Sequence, residues 1–99
     1  MSASQRDIGL AQIGVGYWGK NIFRNLLSLP HAHVVWACDQ SAERRSRVEA
    51  QHPGIKTTEH FDDLLNDERV EGIVIATPTD QHFELAASAL RAKKHVFVE

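Results

Sequence analysis

The sequence holds a single cysteine, Cys38, in 99 residues. One thiol makes no disulfide framework and no thiolate metal cluster. Cys38 sits in an apolar stretch beside Asp39 and reads as a small buried packing residue rather than a nucleophile. Long apolar runs are missing too. Nothing approaches the roughly 20 residues that a membrane-spanning helix needs, and the polar residues 1–7 have no apolar core of the kind a secretory signal carries. Charge of one sign is also scarce. Lysine and arginine number 11 against 13 acidic residues, a formal net charge of −2 with no basic block. That balance argues against nucleic acid and anionic membrane as partners. The histidines show no metal-ligand spacing, and there is no internal repeat or low-complexity tract. The expectation left is a cytoplasmic, reducing setting. At 42% hydrophobic and 24% charged, the chain has a globular balance and room for one domain.

What is present begins with glycine concentrated in one place. Ile8 to Ile13 is a short apolar run, Gly14-Val15-Gly16-Tyr17-Trp18-Gly19 follows, and a helical pattern starts directly after. This is G-x-G-x-x-G between a strand and a helix, the setting in which a dinucleotide is cradled. Gly14 allows the tight turn. Gly16 has no Cβ to hold a pyrophosphate off the backbone. Gly19 lets the helix approach the strand. The helix N-terminus then aims free N–H groups and a partial positive charge at the phosphates. The plain alternative is a tight turn that binds nothing. Against it stands Asp39, which ends the next apolar run 20 positions after Gly19, the separation of a carboxylate that grips the adenosine ribose. Such an acid repels a 2′-phosphate and so favours NAD, with NADP still possible. Arg44, Arg45 and Arg47 lie close enough to temper that preference, but they read as a solvated helix face.

The rest of the chain alternates. A helix carrying Ile22, Phe23, Leu26 and Leu27 on one face is stopped by Pro30. His33 to Cys38 is a second strand, apolar enough to be covered on both faces. Ser41 caps a polar helix that Pro53-Gly54 ends. Ile55 to Thr58 is a third strand near an edge. Phe61 to Asn66 is a short helix with Phe61, Leu64 and Leu65 inward. Gly72 to Ala76 is a fourth strand, broken by Thr77-Pro78-Thr79. A helix lined by Phe83, Leu85, Ala86, Ala87, Ala89 and Leu90 leads to a buried fifth strand, His95 to Val98. This βαβαβαβαβ pattern predicts an α/β fold of Rossmann type. Its parallel sheet has the order 3-2-1-4-5 and helices on both faces. Residues 1–7 are a loose leader and residues 8–99 one dinucleotide-binding domain. Glu99 directly follows the fifth strand. The domain is therefore expected to be truncated at its C-terminus, or its fifth-strand edge to pair with another chain.

Three stretches together resemble one family: Ala11-Gln-Ile-Gly-Val-Gly-Tyr-Trp-Gly-Lys-Asn21, Ala76-Thr-Pro-Thr-Asp-Gln-His82 and Lys94-His-Val-Phe-Val-Glu99. They look like the N-terminal domain of the glucose–fructose oxidoreductase/inositol dehydrogenase-like (Gfo/Idh/MocA) family. The resemblance covers residues 8–99. It implies an NAD(P)-dependent oxidoreductase that passes hydride between nicotinamide and a hydroxyl-bearing carbon of a sugar, nucleotide sugar or cyclitol. By the same resemblance Gly14, Gly16 and Gly19, with the backbone of Tyr17 and Trp18, match the pyrophosphate turn, and Asp39 the ribose-binding acid. Thr77 and Pro78 match the pair beside the cofactor riboses, His82 a histidine near the nicotinamide, and Glu99 the first residue of a Glu-Lys-Pro motif. The lysine and the substrate domain of that family lie beyond Glu99. The chain by itself is thus expected to hold no catalytic residue and to bind cofactor without turnover, with a sugar-like substrate only in the full-length enzyme.

Plainer roles stand beside several of these. Thr77-Pro78 is ordinary strand punctuation, His82 suits a first helical turn, and Trp18 can pack beneath the first helix. An S-adenosylmethionine-dependent methyltransferase shares the glycine turn and the acid. A non-catalytic binding or assembly module is a further alternative.

Overall fold

A computed structural model describes residues 7–99, and the expected leader, residues 1–6 of it, lies outside them. The strands are β1 (Ile8–Ile13), β2 (Ala32–Cys38), β3 (Lys56–Thr58), β4 (Gly72–Ile75) and β5 (His95–Val98). The helices are α1 (Gly19–Leu27), α2 (Ala42–Gln51), α3 (Phe61–Leu65) and α4 (His82–Arg91), the last entered through a 3₁₀ turn at Thr79–Gln81. All strand pairs are parallel and the sheet order is β3-β2-β1-β4-β5. That is the expected Rossmann order, with β1 and β4 side by side at the centre.

Two apolar layers hold the sheet. On one face Ala11, Ile73 and Ile75 pack with Leu64 of α3 and Ala89 of α4. On the other Val34 and Ala37 pack with Phe23 of α1 and Val48 of α2. Burial of this apolar surface is the main driving force for the fold. β2 serves both layers, and a register shift against β1 switches its alternation part-way along. Leu10 pairs with Val34, but Ala11 pairs with Trp36, so Val35 is an extra residue. A bulge of this kind swaps the side-chain alternation, which puts Val35 and Cys38 in one layer and Val34 and Ala37 in the other.

Local signals set the helix ends. The Ser41 hydroxyl accepts from the Arg44 N–H at 3.2 Å, the expected cap of α2. α1 ends at Leu27, before Pro30. Two expectations need correction. Phe83 and Leu90 do not line a core, being 82% and 62% exposed. The buried stripe of α4 is the narrower Leu85, Ala86 and Ala89. β5 is not a buried strand either, since its Phe97 and Val98 are largely exposed. β5 is an edge with β4 as its partner, and only Val96 reaches the core.

The loop entering β4 is tied by polar contacts. Asp67 accepts from Trp36 Nε1 at 2.8 Å and from Arg69 Nη2 at 2.7 Å. Lys94 Nζ donates to the carbonyls of Asp67 and Val70 at 2.9 and 2.7 Å. Arg69 holds the Asp67 carboxyl well below the usual carboxylate range.

Candidate functional site

In an open parallel sheet, ligands sit at the carboxyl ends of the strands, where the loops of neighbouring strands part. β1 and β2 turn to one face and β4 to the other, and a cleft of about 1320 Å³ opens there. It is lined by the loop after β1, the end of β2 with the start of α2, and the Ala76–Thr79 segment after β4.

The three glycines are required for different reasons. Gly14 has φ +92°, and a Cβ there would lie 2.5 Å from the Ala76 carbonyl oxygen. Its N–H donates to the Cys38 carbonyl at 2.8 Å, which fixes the turn against β2. A Cβ on Gly19 would lie 2.1 Å from the Gly14 carbonyl oxygen, so α1 starts in contact with the loop it leaves. Gly16 is different. A Cβ there would meet only the end of the Arg44 side chain, which lies over it at 2.4 Å. Gly16 is buried beneath that guanidinium at the edge of the cleft.

Asp39 directly follows β2 and is only 7% exposed. One carboxylate oxygen accepts from the Val15 N–H at 3.0 Å, the other from the Ser41 N–H at 2.9 Å. Arg44 Nη1 stands 3.7 Å away. The acid is therefore held by the backbone on both sides of the cleft, with its charge balanced by one cation. Thr77 follows β4 and also lines the cleft, and its buried hydroxyl has no hydrogen-bond partner. Buried hydroxyls are nearly always paired, so Thr77 Oγ1 is an exception at the edge of the cleft. Tyr17 and Trp18 stand at the rim as an edge-to-face pair with ring centroids 4.9 Å apart. Both are more than two-thirds exposed, so Trp18 does not pack beneath α1. Pro78 and Glu99 line the cleft as well. His82 does not. Its Nε2 lies 2.7 Å from the Thr77 carbonyl and donates to it, closing the turn that starts α4.

The sequence reading missed two contributors. The first is Arg44, which is half-exposed on α2 but turned to the cleft. Arg44 lines the cleft between Gly16 and Asp39, and Arg45 Nη1 donates to the Asp39 carbonyl at 2.8 Å. Only Arg47 behaves as expected, paired with Glu43 on the exposed side of α2. An arginine three residues after a cap serine, on the turn that faces the acid, was the available signal. The second contributor is Gln12, whose only signal was a polar residue inside an apolar strand. Cys38 also borders the cleft. Burial, then the neighbouring Asp39 and Asp63 carboxylates, push its thiol up to about 12. It stays protonated near neutral pH and is no nucleophile.

Residues 8–99 match the model of an oxidoreductase family with an NAD-binding Rossmann fold, the Gfo/Idh/MocA family. The chain belongs to this family. It is 34% identical over 93 residues to the uncharacterized oxidoreductase YdgJ of Escherichia coli, covering 94% of this chain and 26% of that protein. It is 32% identical over 89 residues to inositol 2-dehydrogenase of Salmonella typhimurium, covering 88% of this chain and 26% of that enzyme. Among solved structures it resembles scyllo-inositol dehydrogenase of Lactobacillus casei with bound NAD(H) and scyllo-inositol. There the TM-score is 0.84 at 26% identity, over 94% of this chain and 28% of that one. It also resembles GenD2 from gentamicin A biosynthesis in complex with NAD, with TM-score 0.87 at 27% identity over 98% of this chain and 28% of that one. The chain thus spans about a quarter of the length of these relatives. No described helix is long and apolar enough to cross a membrane.

Proposed function

We propose that this chain binds NAD in the cleft, as the cofactor-holding part of an oxidoreductase acting on a sugar, nucleotide sugar or cyclitol hydroxyl. The observation that carries this is the meeting of the glycine loop and the buried, backbone-held Asp39 along one cleft, with the Arg44 side chain between them. The residues fit the cofactor. The loop N–H groups and the start of α1 suit a diphosphate, Asp39 suits two ribose hydroxyls, and Thr77 lines the wall that β4 supplies. Pro78, Glu99 and the Tyr17–Trp18 rim would flank it. His82 would act only through the Thr77 carbonyl it holds. Bound nicotinamide would supply hydride transfer at its C4. This chain's own residues would orient the dinucleotide, and it would turn over no substrate by itself. The names of the related inositol dehydrogenases support a polyol substrate.

Asp39 supports NAD over NADP, because its carboxylate would repel a 2′-phosphate. Arg44, 3.7 Å from it, leaves NADP a weaker second. A single cysteine, with no disulfide framework, supports a cytoplasmic setting. The open β5 edge supports self-association by strand pairing.

Calorimetric titration with NAD, NADP and S-adenosylmethionine tests the reading. NAD binding that falls at least tenfold in Asp39→Ala is expected. A folded chain that binds neither nicotinamide dinucleotide overturns it, and binding of S-adenosylmethionine alone would turn the assignment to a methyltransferase.

A further inference from the structure

Gln12 is fully buried at the last-but-one position of β1, among apolar neighbours. It touches no part of the cleft surface. We propose that Gln12 is a positioning residue for the dinucleotide site, acting through the peptide groups of Gly14 and Gly19. The inference rests on reading the cleft as a dinucleotide site.

The side-chain amide has two N–H donors. Nε2 lies 2.8 Å from the Gly14 carbonyl and 2.7 Å from the Gly19 carbonyl. Both partners only accept, so the nitrogen must face them, and the amide orientation is fixed. Oε1 is then left buried with no partner. An unpaired buried acceptor costs stability that a methionine of similar length would not. What the glutamine supplies in exchange is geometry.

The peptide group is planar and trans, so its N–H points opposite its C=O. Holding the Gly14 carbonyl on Gln12 sends the Val15 N–H the other way, onto Asp39 at 3.0 Å. Holding the Gly19 carbonyl sends the Lys20 N–H outward, onto the Gly16 carbonyl at 2.8 Å. One side chain thus sets the entry and the exit of the loop. Through the first peptide it also sets the acid on the far side of the cleft. Rotation of the Gly14–Val15 peptide would break both contacts together.

The test uses Gln12→Met, which keeps the bulk and removes both donors, and Gln12→Glu, which keeps the shape but accepts only. NAD is titrated calorimetrically, and exchange of the Val15 amide is followed by NMR. Gln12→Met is expected to bind NAD about tenfold more weakly, the scale of one or two lost hydrogen bonds, with the Val15 amide losing its protection. In an Asp39→Ala background the same substitution is expected to cost clearly less, because part of its effect runs through that acid. Gln12→Glu is expected to regain affinity relative to wild type as pH falls, when a protonated carboxyl offers one donor. Binding within twofold of wild type with Val15 protection unchanged would overturn the proposal.

Should both variants fail to fold, the Gln12 side-chain amide protons of the wild type decide. Slow exchange, with both resonances shifting on NAD addition, supports the role, and exchange at the solvent rate overturns it. If the wild type binds no NAD, the dinucleotide reading falls. Val15 protection in Gln12→Met then still decides whether Gln12 sets the loop.

Discussion

A methyl group added to the loop glycines would strike backbone at one and a mobile side chain at another. At Gly19 it would stand 2.1 Å from the Gly14 carbonyl oxygen. Backbone cannot step aside as a side chain can, so Gly19→Ala is expected to lose about 2–3 kcal/mol by overpacking, measured by urea unfolding. At Gly16 the methyl would displace only the Arg44 guanidinium, a half-exposed group on a flexible stem. Gly16→Ala should therefore unfold within about 0.5 kcal/mol of wild type yet bind NAD at least tenfold more weakly. The two substitutions look alike in sequence and separate fold from function. Cys38 gives a second residue-scale prediction. Its thiol moves from an ordinary 9.0 to about 12 in the fold. The folded state therefore keeps its proton while the unfolded state loses it. This stabilisation is complete below pH 9 and is lost as pH rises toward 12. Alkaline unfolding of Cys38→Ala should show a shallower pH slope across that window, and the wild-type thiol should resist alkylation at neutral pH while the chain is folded.

Elements were legible where a local signal fixes them. Ser41 at the head of α2 is such a signal, and Ser41→Ala is expected to cost about 1 kcal/mol in thermal unfolding. α4 was read too wide. Its run of alanine and large apolar residues offers more hydrophobic positions than one helix face can bury. Which of them face the sheet depends on where the 3₁₀ turn at Thr79–Gln81 sets the helix phase. Sequence periodicity leaves that phase open, and Phe83 and Leu90 fell on the wrong side. The loop before β4 was silent in the sequence, because its ties reach Asp67 from Trp36 and Lys94, far away along the chain. Those ties make an acid-sensitive corner. Arg69 depresses the Asp67 carboxyl below its ordinary 3.8. The stabilisation is therefore present above about that pH and lost as pH falls below it. Asp67→Asn should cost about 1–2 kcal/mol at neutral pH and flatten the acid limb of a stability–pH curve.

At the scale of the molecule, the parallel sheet followed from alternation, since helices between strands force parallel neighbours, and its order from the dinucleotide-type glycine turn. The glycine turn and Asp39 were legible for the same reason, since both sit at strand ends that the alternation marks. Arg44 was not, because it reaches Gly16 only once the sheet has brought α2 to the loop, and Gln12 was not, because one polar residue in an apolar strand does not say which carbonyls it holds. For residues 1–99 alone, the self-association proposed at the β5 edge is tested by light scattering, where dimers growing with concentration are expected and Val98→Lys should suppress them. The central position of β1 has a consequence for synthesis. β1 leaves the ribosome before either of its neighbours, and β4, which closes its second side, arrives after β2, β3 and three helices. A nascent chain halted before Gly72 would already have joined the glycine turn to Asp39, yet would lack the Ala76–Thr79 wall of the cleft. Until β4 arrives, the side of β1 turned away from β2 is an open edge in the middle of the future sheet, and a nucleotide would meet only part of its cleft.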